Sequence, residues 1–161
     1  TANGDSKGIT VDANGFWVLD EDEKTVTRYD LNGVFQSSFR VRPRGGHLEG
    51  ITNDGSTLWI VDRDAGVFRY DFSGNLIQSS SFQLDSDNSH PEGITTDGTS
   101  LWIVDRDRDR VFRYSAIDAD GVVLDSFSVK PATHPEDITT DGTSIWIVDK
   151  DSDRVFRFDI N

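Results

Sequence analysis

The stretch His90–Tyr114, HPEGITTDGTSLWIVDRDRDRVFRY, decides the fold, because the rest of the chain repeats it. It returns as HPEDITTDGTSIWIVDKDSDRVFRF at His134–Phe158 and as HLEGITNDGSTLWIVDRDAGVFRY at His47–Tyr70. A more divergent copy, KGITVDANGFWVLDEDEKTVTRY, occupies Lys7–Tyr29. Trp17, Trp59, Trp102 and Trp146 keep the register, with spacings of 42, 43 and 44 residues. A period in this range means one supersecondary unit per repeat, each burying its apolar faces against its neighbours.

The template contains no helical period, and its local signals are those of strands. Gly93–Thr96 is a short strand ended by Asp97-Gly98, a tight-turn dipeptide. Equivalent turns are expected at Asn14-Gly15, Asp54-Gly55 and Asp141-Gly142. The second strand, Leu101–Val104, is an unbroken apolar run, which requires cover on both faces. A third strand follows at Val111–Tyr114 and a fourth near Val122–Val129, after the turn Asp120-Gly121. In the earlier repeats the fourth strand follows Asn32-Gly33 and Ser73-Gly74.

Four strands per unit of about 43 residues predict an all-β chain in which each repeat is one blade of a β-propeller. One domain spans residues 1–161, with repeats at about 7–46, 47–89, 90–133 and 134–161. The third repeat carries three extra residues in Ser115–Gly121, read as a longer surface turn, and Arg40–Gly46 (RVRPRGG) reads as a solvated connector. The last blade is incomplete, because the chain given stops at Asn161 without a fourth strand, and Thr1–Ser6 is too weakly strand-forming to replace it. An unpaired edge invites pairing with another chain, so self-association through this blade is expected. A four-bladed ring, a two-chain eight-bladed ring and a piece of a longer array are all compatible with the repeats.

The second and third strands can be registered from the sequence. If Asp105 pairs with Arg110, Trp102 lies opposite Arg113; the same rule sets Trp17 opposite Arg28, Trp59 opposite Arg69 and Trp146 opposite Arg157. A guanidinium over an indole contributes roughly 0.5–2 kcal/mol. We read these pairs as scaffold between blades.

The net charge is -13, and 24 Asp stand against 5 Glu. That balance argues against nucleic acid or an anionic membrane surface as partner. The absence of Cys excludes disulfides and thiolate metal sites. No apolar run reaches transmembrane length, so membrane insertion is not expected. Secretion or display at a cell surface is the expected location.

The Gly93-Ile94, Val104-Asp105 and Arg110-Val111-Phe112-Arg113-Tyr114 elements, with their copies, resemble the NHL repeat over essentially the whole chain. Glu-Gly-Ile-Thr at Glu49–Thr52 and Glu92–Thr95 is also similar to phytase-like and lactonase-like six-bladed propellers. The first resemblance implies a binding role, whereas the second families include calcium-dependent enzymes. Both imply about six blades, against the four repeats of this chain.

In a propeller, the connector into each first strand and the loop between strands two and three open on one face. The connectors carry His47 and Glu49, His90 and Glu92, and His134 and Glu136; the first repeat has Asp5 and Lys7 instead. If the three Glu converge at the channel mouth they would hold a divalent cation, Ca²⁺ by oxygen ligation or a transition metal if the three His take part. A weaker candidate set is the DxDxD strings Asp105, Asp107 and Asp109, and Asp149, Asp151 and Asp153. These lack the glycine and glutamate of an EF-hand loop, and Arg106, Arg108 and Arg110 interleave with the first string. The competing structural reading has the first Asp of each loop bonding its own turn backbone.

No nucleophile elbow, P-loop or zincin motif is present, and no catalytic residue is assigned. The expected function is a non-enzymatic binding module with a protein or glycan ligand on the His/Glu/Asp face. The alternatives are a divalent-metal-dependent hydrolase or lactonase and a structural spacer.

Overall fold

The chain is described by a computed structural model over residues 4–42 and 46–160. Among the described residues every regular element is a strand, apart from one 3-10 turn at Gln78–Ser80. Blade one comprises β1 (Ser6–Asp12), β2 (Gly15–Asp20), β3 (Thr25–Asp30) and β4 (Phe35–Arg40), and blade two β5 (Leu48–Asn53), β6 (Thr57–Asp62) and β7 (Gly66–Asp71). Blade three comprises β8 (Pro91–Thr96), β9 (Ser100–Asp105), β10 (Arg110–Ser115) and β11 (Val123–Ser128), and blade four β12 (Pro135–Thr140), β13 (Ser144–Asp149) and β14 (Arg154–Asp159). Each is an antiparallel meander in sequence order. The first strands β1, β5, β8 and β12 lie side by side in that order, so the blades fan out from a common inner edge.

Two expectations about the blades change. The second blade is also short of a regular fourth strand. Its outer segment touches β7 only through the isolated bridges Tyr70–Leu76 and Val67–Phe82. Those bridges span six residues on one side and three on the other, whereas the matching span in β4 or β11 is four. The surplus residues coil into the 3-10 turn and break the ladder. In blade one the turn falls at Ala13-Asn14, and Gly15 already belongs to β2. Gly15 is needed there because a Cβ would overlap the Tyr29 carbonyl on β3. Of the connector RVRPRGG, positions 43–45 lie outside the described residues, as do positions 1–3 of the N-terminal segment.

The hairpin register holds in all four blades, with Trp17, Trp59, Trp102 and Trp146 opposite Arg28, Arg69, Arg113 and Arg157. In the first three blades the guanidinium sits over the indole, 4.9, 4.5 and 4.9 Å from the ring centroid. In blade four the strands pair in the same register, but Arg157 turns to Asp159 at 3.0 Å.

The core is divided into three joints rather than one centre. At the first joint Trp17, Leu19 and Val26 of blade one pack on Ile51, Leu58, Ile60, Phe68 and Tyr70 of blade two, all buried. The equivalents Trp59, Val61 and Val67 pack on blade three, and Trp102, Val104 and Val111 on blade four. This is why the second strand is apolar on both sides: alternate residues enter the joint before it and the joint after it. Close approach of the inner strands depends on Gly50 and Gly93, where an added Cβ would crowd the backbone of the following blade.

Candidate functional site

The connector into each blade and the loop between its second and third strands meet at one end of the inner strands, as the repeat predicted. One buried aspartate per blade ties them. Asp62 Oδ1 accepts from Asp64 N at 2.9 Å and Ala65 N at 3.1 Å within its loop, while Oδ2 accepts from Gly46 N of the connector at 3.0 Å. Asp105 accepts from Arg108 N and His90 N, at 2.8 and 2.7 Å. Asp149 accepts from Ser152 N at 3.0 Å and from Thr133 N and His134 N at 2.8 and 2.6 Å. Asp20 joins Glu23 N to Gly4 N in the same way. All four are at most 1% exposed. A buried carboxylate is tolerated here because backbone donors saturate it. For Asp149, Ser152 and the connector amides hold the carboxyl down at about 2.

The remaining aspartates of the DxDxD strings have separate tasks. Asp107 faces His90 Nδ1 at 3.0 Å and Asp151 faces His134 Nδ1 at 3.6 Å; in blade two His47 Nδ1 meets Asp64 at 2.5 Å. Asp109 and Asp153 take left-handed backbone at φ 50° and 53°, closing the loop as Lys24 does in blade one. Aspartate adopts this conformation more readily than most residues.

The three glutamates line up along the inner strands, but each is met by a cation. Glu49 pairs with Arg63 at 3.4 Å and Lys7 at 4.0 Å, Glu92 with Arg106 at 2.8 Å, and Glu136 with Lys150 at 3.4 Å and His134 Nε2 at 3.2 Å. In blade one the pair is inverted: Lys7 stands at the glutamate position and Glu21 at the position of the arginine, 3.1 Å apart. The basic partners were missed in the sequence, although the signal was there. The residue after the buried aspartate is Arg63, Arg106 or Lys150 wherever the connector has Glu, and Glu21 where it has Lys7. Among the described residues no three His, Asp or Glu side chains converge as a metal-ligand set. The candidate residues therefore share one face, distributed blade by blade as ion pairs.

Burial and the neighbouring Glu92 charge push the Glu49 carboxyl up to about 7, against the opposing pull of Arg63 and Lys7. Burial also raises Glu92. Because the folded-state value of Glu49 lies above its ordinary 4.5, the folded chain holds the extra proton between pH 4.5 and 7. Stability should therefore fall as pH rises through that window, by on the order of 3 kcal/mol, because each pH unit crossed is worth about 1.36 kcal/mol. Urea titrations across the window should show this slope flattened in Glu49→Gln.

No family model matches this chain, and no curated protein matches it. Solved structures do. Virginiamycin B lyase from Staphylococcus aureus superposes with a TM-score of 0.70 at 22% identity, over 97% of this chain and 52% of that one. Glutaminyl cyclase from Myxococcus xanthus gives 0.77 at 13%, over 94% and 71%. The chain is a β-propeller. A nidogen/laminin complex provides a further match, with a TM-score of 0.69 at 18% identity over 96% of this chain and 59% of that one. The chain thus spans about half the length of the lyase, and the likeness concerns the fold.

Proposed function

We propose that this propeller is a binding module of the NHL type, whose ligand surface is the connector end of the blades and whose ligand is a protein segment rich in Lys and Arg. The observation that carries the reading is the threefold repetition of a solvent-facing imidazole–carboxylate pair beside a Glu–cation pair, in blades two, three and four, with the Glu buried in blades two and three and half-exposed in blade four. Asp64, Asp107 and Asp151 are half to two-thirds exposed there. In a chain of net charge -13, such a row attracts basic groups and repels nucleic acid. Repetition also suits an extended ligand better than a reaction centre, which needs unlike residues around one point. The nidogen/laminin match shows the same fold within a protein complex. Hydrolysis at a divalent metal is less well supported, because each candidate glutamate is already ion-paired.

Fluorescence anisotropy with a labelled Lys/Arg-rich peptide tests this, with acidic and neutral peptides as controls. Binding should be confined to the basic peptide and weaken with salt. It should fall about tenfold in the triple variant Asp64→Asn, Asp107→Asn, Asp151→Asn, from three exposed pairs at about 0.2–1 kcal/mol each. Equal binding of all peptides, or no loss in the triple variant, would overturn it. A calcium-induced rise in Tm, abolished by Glu92→Gln, would instead favour the metal-dependent hydrolase.

A further inference from the structure

At the end of the inner strands away from the connectors, blade three departs from its fellows. Three of the hairpin arginines have a carboxylate at hand: Arg28 lies 3.7 Å from Asp12, Arg69 2.9 Å from Asp54 and Arg157 3.0 Å from Asp159. In blades one and two the turn aspartate also accepts the indole N–H, from Trp17 Nε1 at 3.0 Å and Trp59 Nε1 at 3.1 Å. In blade three Asp97 Oδ1 accepts from Thr99 and Ser100 of its own turn, but Asp97 takes neither the indole nor the guanidinium. Trp102 is only 5% exposed, and among the described residues its Nε1 has no acceptor. Arg113 donates Nε to Ser100 Oγ at 2.9 Å, and among the described residues its two Nη nitrogens have no partner. Buried N–H groups without an acceptor are rare in folded chains, so this one points to a partner from outside.

Both side chains line a cavity of about 310 Å³ at the joint of blades three and four, within the range of about 300–1,000 Å³ that small ligands occupy. Its other walls are the carboxyl groups of Asp97, Asp125 and Asp159 and the apolar side chains of Phe127 and Ile160. The cavity belongs to the joint itself. Arg28 and Phe72, the counterparts of Arg113 and Ile160, line an opening at the first joint too, but there Asp12 serves both donors.

We propose that this cavity binds a neutral saccharide ring. Its lining selects the ligand class by elimination. An ammonium or guanidinium group offers Trp102 no acceptor and is opposed by Arg113. A carboxylate would serve both donors but would face three others. A hydroxyl both donates and accepts, so a polyol can take bonds from Trp102 Nε1 and Arg113 Nη while giving bonds to the aspartates. Phe127 and Ile160 then suit the C–H face of the ring.

A ¹H–¹⁵N correlation spectrum of the ¹⁵N-labelled chain tests this without reference to peptide binding, because its four indole N–H signals report one per blade. Trp102→Phe assigns the blade-three signal. Titration with glucose, galactose and mannose should shift that signal saturably for at least one sugar, leaving those of Trp17 and Trp59 in place. The uronic acid and the amino sugar sharing that ring should bind more weakly. Asp125→Ala, at an exposed position where the fold is not at stake, should weaken binding about tenfold, as expected for a lost hydrogen bond to a charged group. A methyl glycoside that binds as well as the free sugar identifies a glycan end as the source, and one that is excluded identifies a free sugar. No saturable shift with any neutral sugar, an equal response of all four indoles, or tighter binding of either charged ring would overturn the proposal.

Discussion

Replacing Trp59 with alanine is expected to lower the unfolding free energy by about 3–5 kcal/mol, the range for removing a large aromatic side chain from a core. Trp59 is fully buried at the joint of blades two and three, against Ile94, Leu101, Ile103, Phe112 and Tyr114. Neighbours held on rigid strands cannot close the gap, so lost transfer energy and cavity add. The Arg69 guanidinium, 4.5 Å from the indole centroid, would also lose its ring. A fall in Tm of about 10 °C by differential scanning calorimetry is expected at this chain length. Trp146→Ala is the internal control. Its indole is only half-buried, so its removal should cost well under half as much.

Asp54→Ala should cost about 2–4 kcal/mol although Asp54 sits in a turn. Its Oδ1 accepts from Ser56 N at 2.9 Å and Thr57 N at 2.7 Å, and its Oδ2 from Trp59 Nε1 at 3.1 Å and Arg69 Nη2 at 2.9 Å. Alanine would leave the indole N–H with no acceptor and the Arg69 guanidinium without its carboxylate, holding only the bond from Nε to Thr57 Oγ1 at 2.9 Å. Burial pushes this carboxyl up, but the bonds from Thr57 and Ser56 outweigh it and hold it well below the ordinary 3.8. A depressed carboxyl contributes stability above its unfolded-state value and loses it as pH falls through its folded-state value. The wild type should therefore lose this contribution in acid, and the acid limb of its denaturation curve should be shallower in Asp54→Ala. Asp54→Asn should fall between, because its amide still caps the turn but cannot serve both distal donors.

The architecture was legible because two signals agreed: tryptophans spaced at blade length, and an apolar second strand that demands neighbours on both sides. Strand register was legible for the same reason, since a slip by one residue would send Trp102 into the opposite joint. The interrupted outer strand of blade two was not legible. Gln78–Ser80 are as compatible with an extended edge as with a coil, and only counting residues between bridges reveals the surplus. The candidate face was readable in position but not in state. His-x-Glu and DxDxD announce oxygen and nitrogen ligands, yet whether a glutamate faces a cation depends on Arg63, Arg106 and Lys150, which come from the other loop. Local spacing cannot show a pair made across a connector and a hairpin. The inverted pair Lys7–Glu21 could have shown it, read as a compensated charge exchange between repeats.

The aspartate clasp has a consequence for how such a chain can diversify. Asp20, Asp62, Asp105 and Asp149 hold loop and connector through main-chain amides, so exposed side chains at the loop tip, such as Asp107 and Arg108, are free of any duty to the fold. A duplicated blade can then change Asp107 and Arg108 while keeping its shape. New recognition surfaces could be drafted one blade at a time on an unaltered frame.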